Sequence, residues 1–267
     1  MNLPSTQNLS PQAAAAPDPR GCGRESTANL PHPPPAREPA ALSEWYFLNS
    51  GRCDPAFNMA LDEALLEHSA RLGRPVLRCY GWTEPAATFG YFQRIAEVER
   101  LTPLRPLIRR PTGGGIVPHD ADWTYSAAFP PDHAWYALAA EESYRRIHDW
   151  LRLAFAELAV TTELAPCAKK SLPGQCFVGH EKFDLLWHGK KIAGAAQRRN
   201  RLGLLIQGSV QPPLPLDRAA FEAALCTVAV RECAAAWTDL APDAPLQARA
   251  ETLRAEKFSQ PAHNRKR

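Results

Sequence analysis

The stretch from Gln175 to Val210, QCFVGHEKFDLLWHGKKIAGAAQRRNRLGLLIQGSV, sets the tightest limit on the fold. Apolar and polar residues alternate through Phe183, Leu185 and Trp187, the period of a half-buried strand. His188-Gly189 interrupts that pattern, and the lysine pair Lys190-Lys191 follows. Next comes the run Ile192-Ala193-Gly194-Ala195-Ala196, and a second apolar run, Leu204-Leu205-Ile206, closes on Gly208. Glycines fall where the apolar pattern breaks, so three short strands joined by tight turns are predicted. Small side chains beside a lysine leave backbone N–H groups open to a ligand lying against the chain. Gly194 and Ala195 are the candidate donors. The stretch also carries Cys176, with no CxxC or Cys-His pair beside it.

A second stretch with chemical content is Leu107-Ile108-Arg109-Arg110-Pro111-Thr112-Gly113-Gly114-Gly115. Backbone N–H groups of consecutive glycines can converge on an anion while an arginine forks onto it. The Gly-Lys-Ser/Thr of a P-loop and the G-x-G-x-x-G of a dinucleotide fold are both absent. A ligand-binding loop and a plain glycine turn remain as readings. His119-Asp120 follows. Neighbours on a strand face opposite ways, so an acid–base pair there belongs on a turn. The alternative role for His119 is to brace the glycine loop.

The remaining chain reads as scaffold. Trp45–Leu48 is a strand, and Asp54-Pro55 starts a helix with Phe57, Leu61, Ala64 and Leu65 on one face. Asp62 and Glu63 are expected on its solvated side. Val76–Tyr80, Ala87–Tyr91 and Asp122–Ser126 read as strands, with Trp82, Tyr91 and Phe92 as core in preference to the lining of an apolar tunnel. Trp135 to Ala159 is one helix with Tyr144, Ile147, Leu151, Phe155 and Leu158 at helical steps, and no chemistry is assigned to it. Helices after Asp217 and over 246–257 complete the set. Strands and helices intersperse without strict βαβ alternation, which predicts an α+β or mixed α/β domain.

The 267 residues suit one large domain with tails. Residues 1–41, with Pro33-Pro34-Pro35, are too poor in apolar side chains to offset their ordering entropy and are expected as a disordered Pro/Ala-rich tail. Residues 42–260 form the folded domain, and 261–267 a basic tail. A net charge of +3 is too small to argue nucleic acid or membrane as the main partner. Seven unpaired cysteines, no membrane-length apolar run and no signal-like segment point to a reduced, cytoplasmic protein. Cys79, Cys226 and Cys233 read as inert buried thiols. The spacing of Cys167, Cys176 and His180 fits no tetrahedral zinc pattern, and no metal is expected.

Several of these pieces, in order, resemble a known family. Phe57-Asn58-Met59-Ala60-Leu61-Asp62-Glu63-Ala64-Leu65, Leu77-Arg78-Cys79-Tyr80-Gly81-Trp82 and Gly90-Tyr91-Phe92-Gln93 are similar to the N-terminal half of the biotin/lipoate protein ligase and octanoyltransferase superfamily. Arg109 to Asp120, RRPTGGGIVPHD, resembles its acyl-binding signature, and Gly189 to Arg198, GKKIAGAAQR, its lysine signature. The resemblance runs from about Trp45 to Ser259. It implies a central mixed β-sheet flanked by helices, like the catalytic domains of class II aminoacyl-tRNA synthetases and biotin ligases. It further implies that Lys191 reaches the reacting acyl carbonyl. Arg110 and the loop Gly113, Gly114, Gly115, Ile116, Val117, Pro118 and His119 would bind the acyl or acyl-adenylate group.

Family members attach octanoate or lipoate to one lysine of a small carrier domain, by two routes. Lipoate–protein ligases use ATP and Mg2+ to make an acyl-adenylate. Cysteine-dependent octanoyltransferases need no cofactor and take octanoate from acyl carrier protein onto a cysteine. This chain resembles the second class at Cys176-Phe177, at Asp122–Ser126 and at Leu205–Ser209. The implied acceptor is a lipoyl domain of a 2-oxoacid dehydrogenase or the glycine-cleavage H protein. Cys176 lies fifteen residues before Lys191 (191 − 176), close enough for a hairpin to join them. A nearby ammonium would stabilise the thiolate that thioester exchange requires. Backbone N–H groups of Gly194 and Ala195 would meet the developing oxyanion. Two departures stand out: the triple glycine is more ligase-like, and Pro118 replaces a bulkier residue. Glu256-Lys257-Phe258-Ser259 resembles the family's terminal motif, eight residues from the end (267 − 259), which leaves no room for the accessory domain of many ligases. The readings kept open are octanoyl transfer, ATP-dependent lipoate ligation and a non-catalytic acyl-carrier binding protein.

Overall fold

The computed structural model describes residues 42–170 and 179–266. The expected N-terminal tail, the Cys176-Phe177 pair and Arg267 lie outside these residues. The strands are β1 (Ser43–Cys53), β2 (Val76–Trp82), β3 (Ala86–Phe89), β4 (Leu107–Arg109), β5 (Val117–His119), β6 (Trp123–Phe129), β7 (Glu163–Leu164), β8 (Lys169–Lys170), β9 (Gly179–His180), β10 (Leu185–Trp187), β11 (Lys190–Asn200), β12 (Gly203–Val210) and β13 (Ala235–Asp239). The helices are α1 (Pro55–Glu67), α2 (Ser69–Leu72), α3 (Ile95–Leu101), α4 (Ala134–Ala137), α5 (Ala140–Glu157), α6 (Arg218–Cys233), α7 (Ala244–Leu253) and α8 (Pro261–Asn264). A π-turn over Arg254–Phe258 prolongs α7.

Eight of the described strands form one sheet in the order β13-β1-β2-β6-β12-β11-β10-β7. The pairs of β1 with β13 and β2 are parallel, and all others in this sheet are antiparallel. The fold is therefore α+β with a central mixed sheet. Strand alternation divides two cores between its faces. On β2, Leu77 and Cys79 face a cluster with Ile147, Leu151 and Phe155 of α5 and Phe221, Leu225 and Val228 of α6. Val76, Tyr80 and Trp82 face the opposite cluster, with Met59, Leu61 and Leu65 of α1 and Leu246 and Leu253 of α7. A smaller sheet, β4-β3-β5, carries the glycine loop.

The Gln175–Val210 stretch builds β10, β11 and β12 as its pattern predicts. The turn between β10 and β11 places His188 (φ 49°) and Gly189 (φ 73°) in the left-handed region, the demand of a two-residue hairpin loop. Asp54 caps α1 by accepting from the Phe57 amide at 3.0 Å, with Pro55 in the first turn.

Four expectations differ from the structure. Asp62 and Glu63 are buried, not solvated, because β2, β6 and β12 bring donors onto Asp62. The helix expected over 135–159 is two, since Leu138 and Ala139 are extended between α4 and α5. Phe92 is 72% exposed and no part of the core. Part of the expected basic tail folds as α8. The carbonyls of His263 and Asn264 accept from the Arg109 guanidinium, which is buried and needs acceptors. No helix of the described residues is long and apolar enough to cross a membrane.

Candidate active site

One cleft gathers most of the expected residues. Arg110, Gly114, Val117, His119, Lys191, Gly194 and Ala195 line it, together with Met59 and Tyr80 from the α1 side and Gln207–Ser209 of β12. Gly113, Gly115, Ile116 and Pro118 do not line it. Ile116 instead packs with Ala87, Phe89, Val98 and Leu107. Pro118 lies opposite Ala87 in the small sheet.

The glycine loop is held by its own arginine. Arg110 donates from Nη2 to the carbonyls of Gly113 (2.5 Å) and Gly115 (2.8 Å), and from Nε to Gly113 again (3.1 Å). This fork ties the guanidinium to the loop's carbonyls while Arg110 still lines the cleft. Gly114 has φ 86°, a left-handed conformation that favours glycine. Gly90 is the matching contact: a Cβ there would sit 1.9 Å from the Gly114 carbonyl oxygen.

His119 braces the cleft wall. Its Nδ1 lies 2.9 Å from Asp122 Oδ2 and its Nε2 2.8 Å from Thr88 Oγ1. The ring stacks on Trp82 with centroids 3.9 Å apart. The carboxylate partner is Asp122, not the neighbouring Asp120, which is exposed. Asp122 Oδ2 also accepts from Thr124 Oγ1 (3.0 Å) and Ser209 Oγ (2.6 Å), tying β5 to β6 and β12. His119 is thus part of a fixed wall.

Beneath the cleft lies a polar network that the sequence did not reveal. Asp62, with no exposed surface, accepts from Arg78 Nη1 (2.7 Å), Tyr80 (2.9 Å), Ser126 (2.6 Å) and Gln207 Nε2 (2.7 Å). Gln207 Oε1 in turn accepts from Thr112 Oγ1 at 2.8 Å. The buried carboxylate is thereby linked to the residue that opens the glycine loop.

Lys191 is nearly buried and its Nζ lies 2.7 Å from Asp184 Oδ2. The two N–H groups expected to serve an oxyanion are engaged. The Gln211 amide donates to the Ile192 carbonyl at 2.6 Å. Antiparallel alternation then makes Gly194 and Ser209 the next hydrogen-bonded pair and points Ala195 away from β12. The Ala195 backbone reaches the Tyr144 hydroxyl instead. Of the described cysteines, burial pushes the thiols of Cys53, Cys79, Cys226 and Cys233 up, Cys226 to about 11. None of these four is poised as a thiolate. Asp184 and Tyr144 went unnoticed because nothing in the local pattern marks them. Asp184 reads as the polar member of an alternating strand, and Tyr144 reads as one more apolar residue of α5.

Residues 54–238 match the lipoyl protein ligase A/B catalytic domain family, and the chain belongs to it. Its sequence relatives include Octanoyltransferase LipM of Lysinibacillus sphaericus, 36% identical over 182 residues that cover 63% of this chain and 66% of the relative. Octanoyltransferase LipM of Halalkalibacterium halodurans is 35% identical, covering 66% and 69%. The matched stretch thus spans about two thirds of the length of these relatives. Among solved structures, lipoate-protein ligase A bound with ATP superposes with a TM-score of 0.70 at 18% identity, over 84% of this chain and 99% of that one. At that identity the likeness concerns the fold.

Proposed function

We propose that the protein is an octanoyltransferase of protein lipoylation. It takes an octanoyl group from octanoyl-acyl carrier protein onto Cys176 and passes it to the lysine of a lipoyl domain or of the glycine-cleavage H protein. The observation that carries this reading is Lys191, set in a narrow cleft against a strand of small residues, in a chain whose relatives are named octanoyltransferase. The Cys176 thiolate attacks the thioester carbonyl, the C–S bond to the carrier breaks, the carrier leaves as its thiolate, and an S-octanoyl enzyme results. The neutral acceptor amine then attacks that thioester, the C–S bond breaks, the Cys176 thiolate departs, and the nitrogen's surplus proton passes to solvent as the amide forms. The Lys191 ammonium donates to the carbonyl oxygen as its charge grows. Glu181, five positions after Cys176 (181 − 176), donates its amide to the carboxylate that holds Lys191.

This route needs no cofactor, whereas the ligase route needs ATP and Mg2+. The relatives named octanoyltransferase favour the first route. Intact-mass spectrometry of wild type and Cys176→Ala with octanoyl-acyl carrier protein, without ATP, decides between the routes. One added octanoyl group on wild type alone is the expected result. Loading of neither, with ATP-dependent lipoylation of a lipoyl domain by both, would establish the ligase reading instead.

A further inference from the structure

Helix α5 contributes a side chain to the surroundings of Lys191 that the reading above leaves unused. The Asp184 carboxylate is fully buried. It accepts from Lys191 Nζ (2.7 Å), from the Glu181 amide (2.7 Å) and from the hydroxyl of Tyr144 on α5. We propose that Asp184, braced by Tyr144, is a positioning residue that fixes the Lys191 ammonium at the cleft wall. This rests on the proposed role of Lys191.

Three features of the fold converge on this pair. First, Gly194 makes room for it. A Cβ at that position would lie 2.7 Å from both Cε and Nζ of Lys191 and 3.2 Å from Asp184 Oδ1. Second, the backbone before β10 is shaped to aim Asp184 inward. The Phe183 amide donates to Ala165 O (2.8 Å), the Ala165 amide to Asp184 O (2.8 Å) and the Asp184 amide to Glu181 O (3.1 Å). Phe183 sits at φ 70°, a conformation rarely taken outside glycine, and the β10–β11 register shifts between Leu185 and Leu186. Third, Tyr144 links the carboxylate to the Ala195 backbone of β11, so the pair and the strand are held as one body. Burial and the neighbouring Asp184 charge push the Tyr144 hydroxyl well up, so it stays a donor.

A lysine has a flexible four-carbon stem and a compact point charge. Pinned by Asp184, its ammonium keeps one orientation towards the acyl carbonyl. No bond to Lys191 or Asp184 is made or broken, and the ammonium acts only as a preorganised hydrogen-bond donor.

The test is steady-state octanoyl transfer from octanoyl-acyl carrier protein to a purified lipoyl domain. Wild type, Asp184→Asn, Tyr144→Phe, Lys191→Ala and the Asp184→Asn/Lys191→Ala double variant are compared, with folding checked by thermal melting. The expected result is a kcat lowered about 100-fold in Asp184→Asn, the scale of one lost oriented donor. The KM for the octanoyl donor should stay within about twofold, the split expected when only a transition-state interaction is removed. The double variant should be no slower than Lys191→Ala, since Asp184 acts through that lysine. Tyr144→Phe, which removes a single hydroxyl, should lower kcat in the same sense and gives the answer if Asp184→Asn does not fold. Wild-type kcat in folded Asp184→Asn or in Tyr144→Phe, or an equal further loss in the double variant, overturns the positioning role. If Lys191→Ala itself keeps wild-type kcat, the role of Lys191 falls as well, and the two failures are told apart.

Discussion

Asp62 shows how a residue's meaning is set by what the fold brings to it. Helical spacing assigns a carboxylate beside Glu63 to solvent, and no local pattern contradicts that. Its four donors come from β2, β6 and β12, as far as 145 positions along the chain. Neither member of the Asp62–Arg78 pair has any exposed side-chain surface. Removing one partner therefore leaves an uncompensated buried charge. Asp62→Ala should cost about 3–5 kcal/mol of folding stability, read as a lower midpoint in urea. An apolar replacement of both residues should cost much less, and an equal loss in single and double variants would contradict this account. Lys191, by contrast, was legible, because a lysine before a run of small residues is a local signal. Asp184, seven positions earlier, was not, since its significance lies in Tyr144 and Gly194.

Among the elements, the hairpins were the most legible, because a two-residue turn needs residues at positive φ and the chain supplies His188-Gly189 there. The break between α4 and α5 was hidden, as Leu138-Ala139 fits an apolar helical pattern while both residues are extended. The end of the chain was misread for a different reason. Basic composition suggested a tail, but α8 supplies acceptors that buried Arg109 cannot find in solvent. Asn264 holds this arrangement from both sides. Its Oδ1 accepts from the Arg109 amide at 2.9 Å and its Nδ2 donates to the Phe258 carbonyl at 2.8 Å. Asn264→Ala should lower stability by about 1–3 kcal/mol, the cost of an orphaned backbone donor in a half-buried setting. Amide hydrogen exchange at Arg109 should rise in parallel, and unchanged protection there would mean that α8 does not clamp β4.

At the scale of the whole molecule, α5 and α6 seal one face of the sheet and α1 and α7 the other, and the cleft opens between the glycine loop and β11–β12. That architecture buries His148 of α5 completely, against Tyr144. Nδ1 of His148 lies 2.9 Å from the Tyr144 carbonyl, and its Nε2 is buried with no hydrogen-bond partner among the described residues. Burial dominates and lowers its pKa to about 4, against the opposing pull of the Asp184 charge. An unfolded histidine titrates near 6.5. Between these values the unfolded chain binds the proton and the native protein does not. Stability from this group is therefore full above about pH 6.5 and falls as the pH drops towards 4. Integrated over that window the loss is about 3 kcal/mol, and about 2 kcal/mol of it is already gone at pH 5. The check is a pair of urea titrations at pH 7.5 and pH 5, on wild type and His148→Gln. The glutamine variant should be less stable at pH 7.5 because it disturbs packing under Tyr144. It should also lose about 2 kcal/mol less than wild type between the two pH values, because it has no proton to gain on unfolding. Equal acid sensitivity in the two proteins would place the titrating group elsewhere. Because α5 also carries Tyr144, the same acid loss should loosen the Asp184–Lys191 wall before the sheet itself gives way.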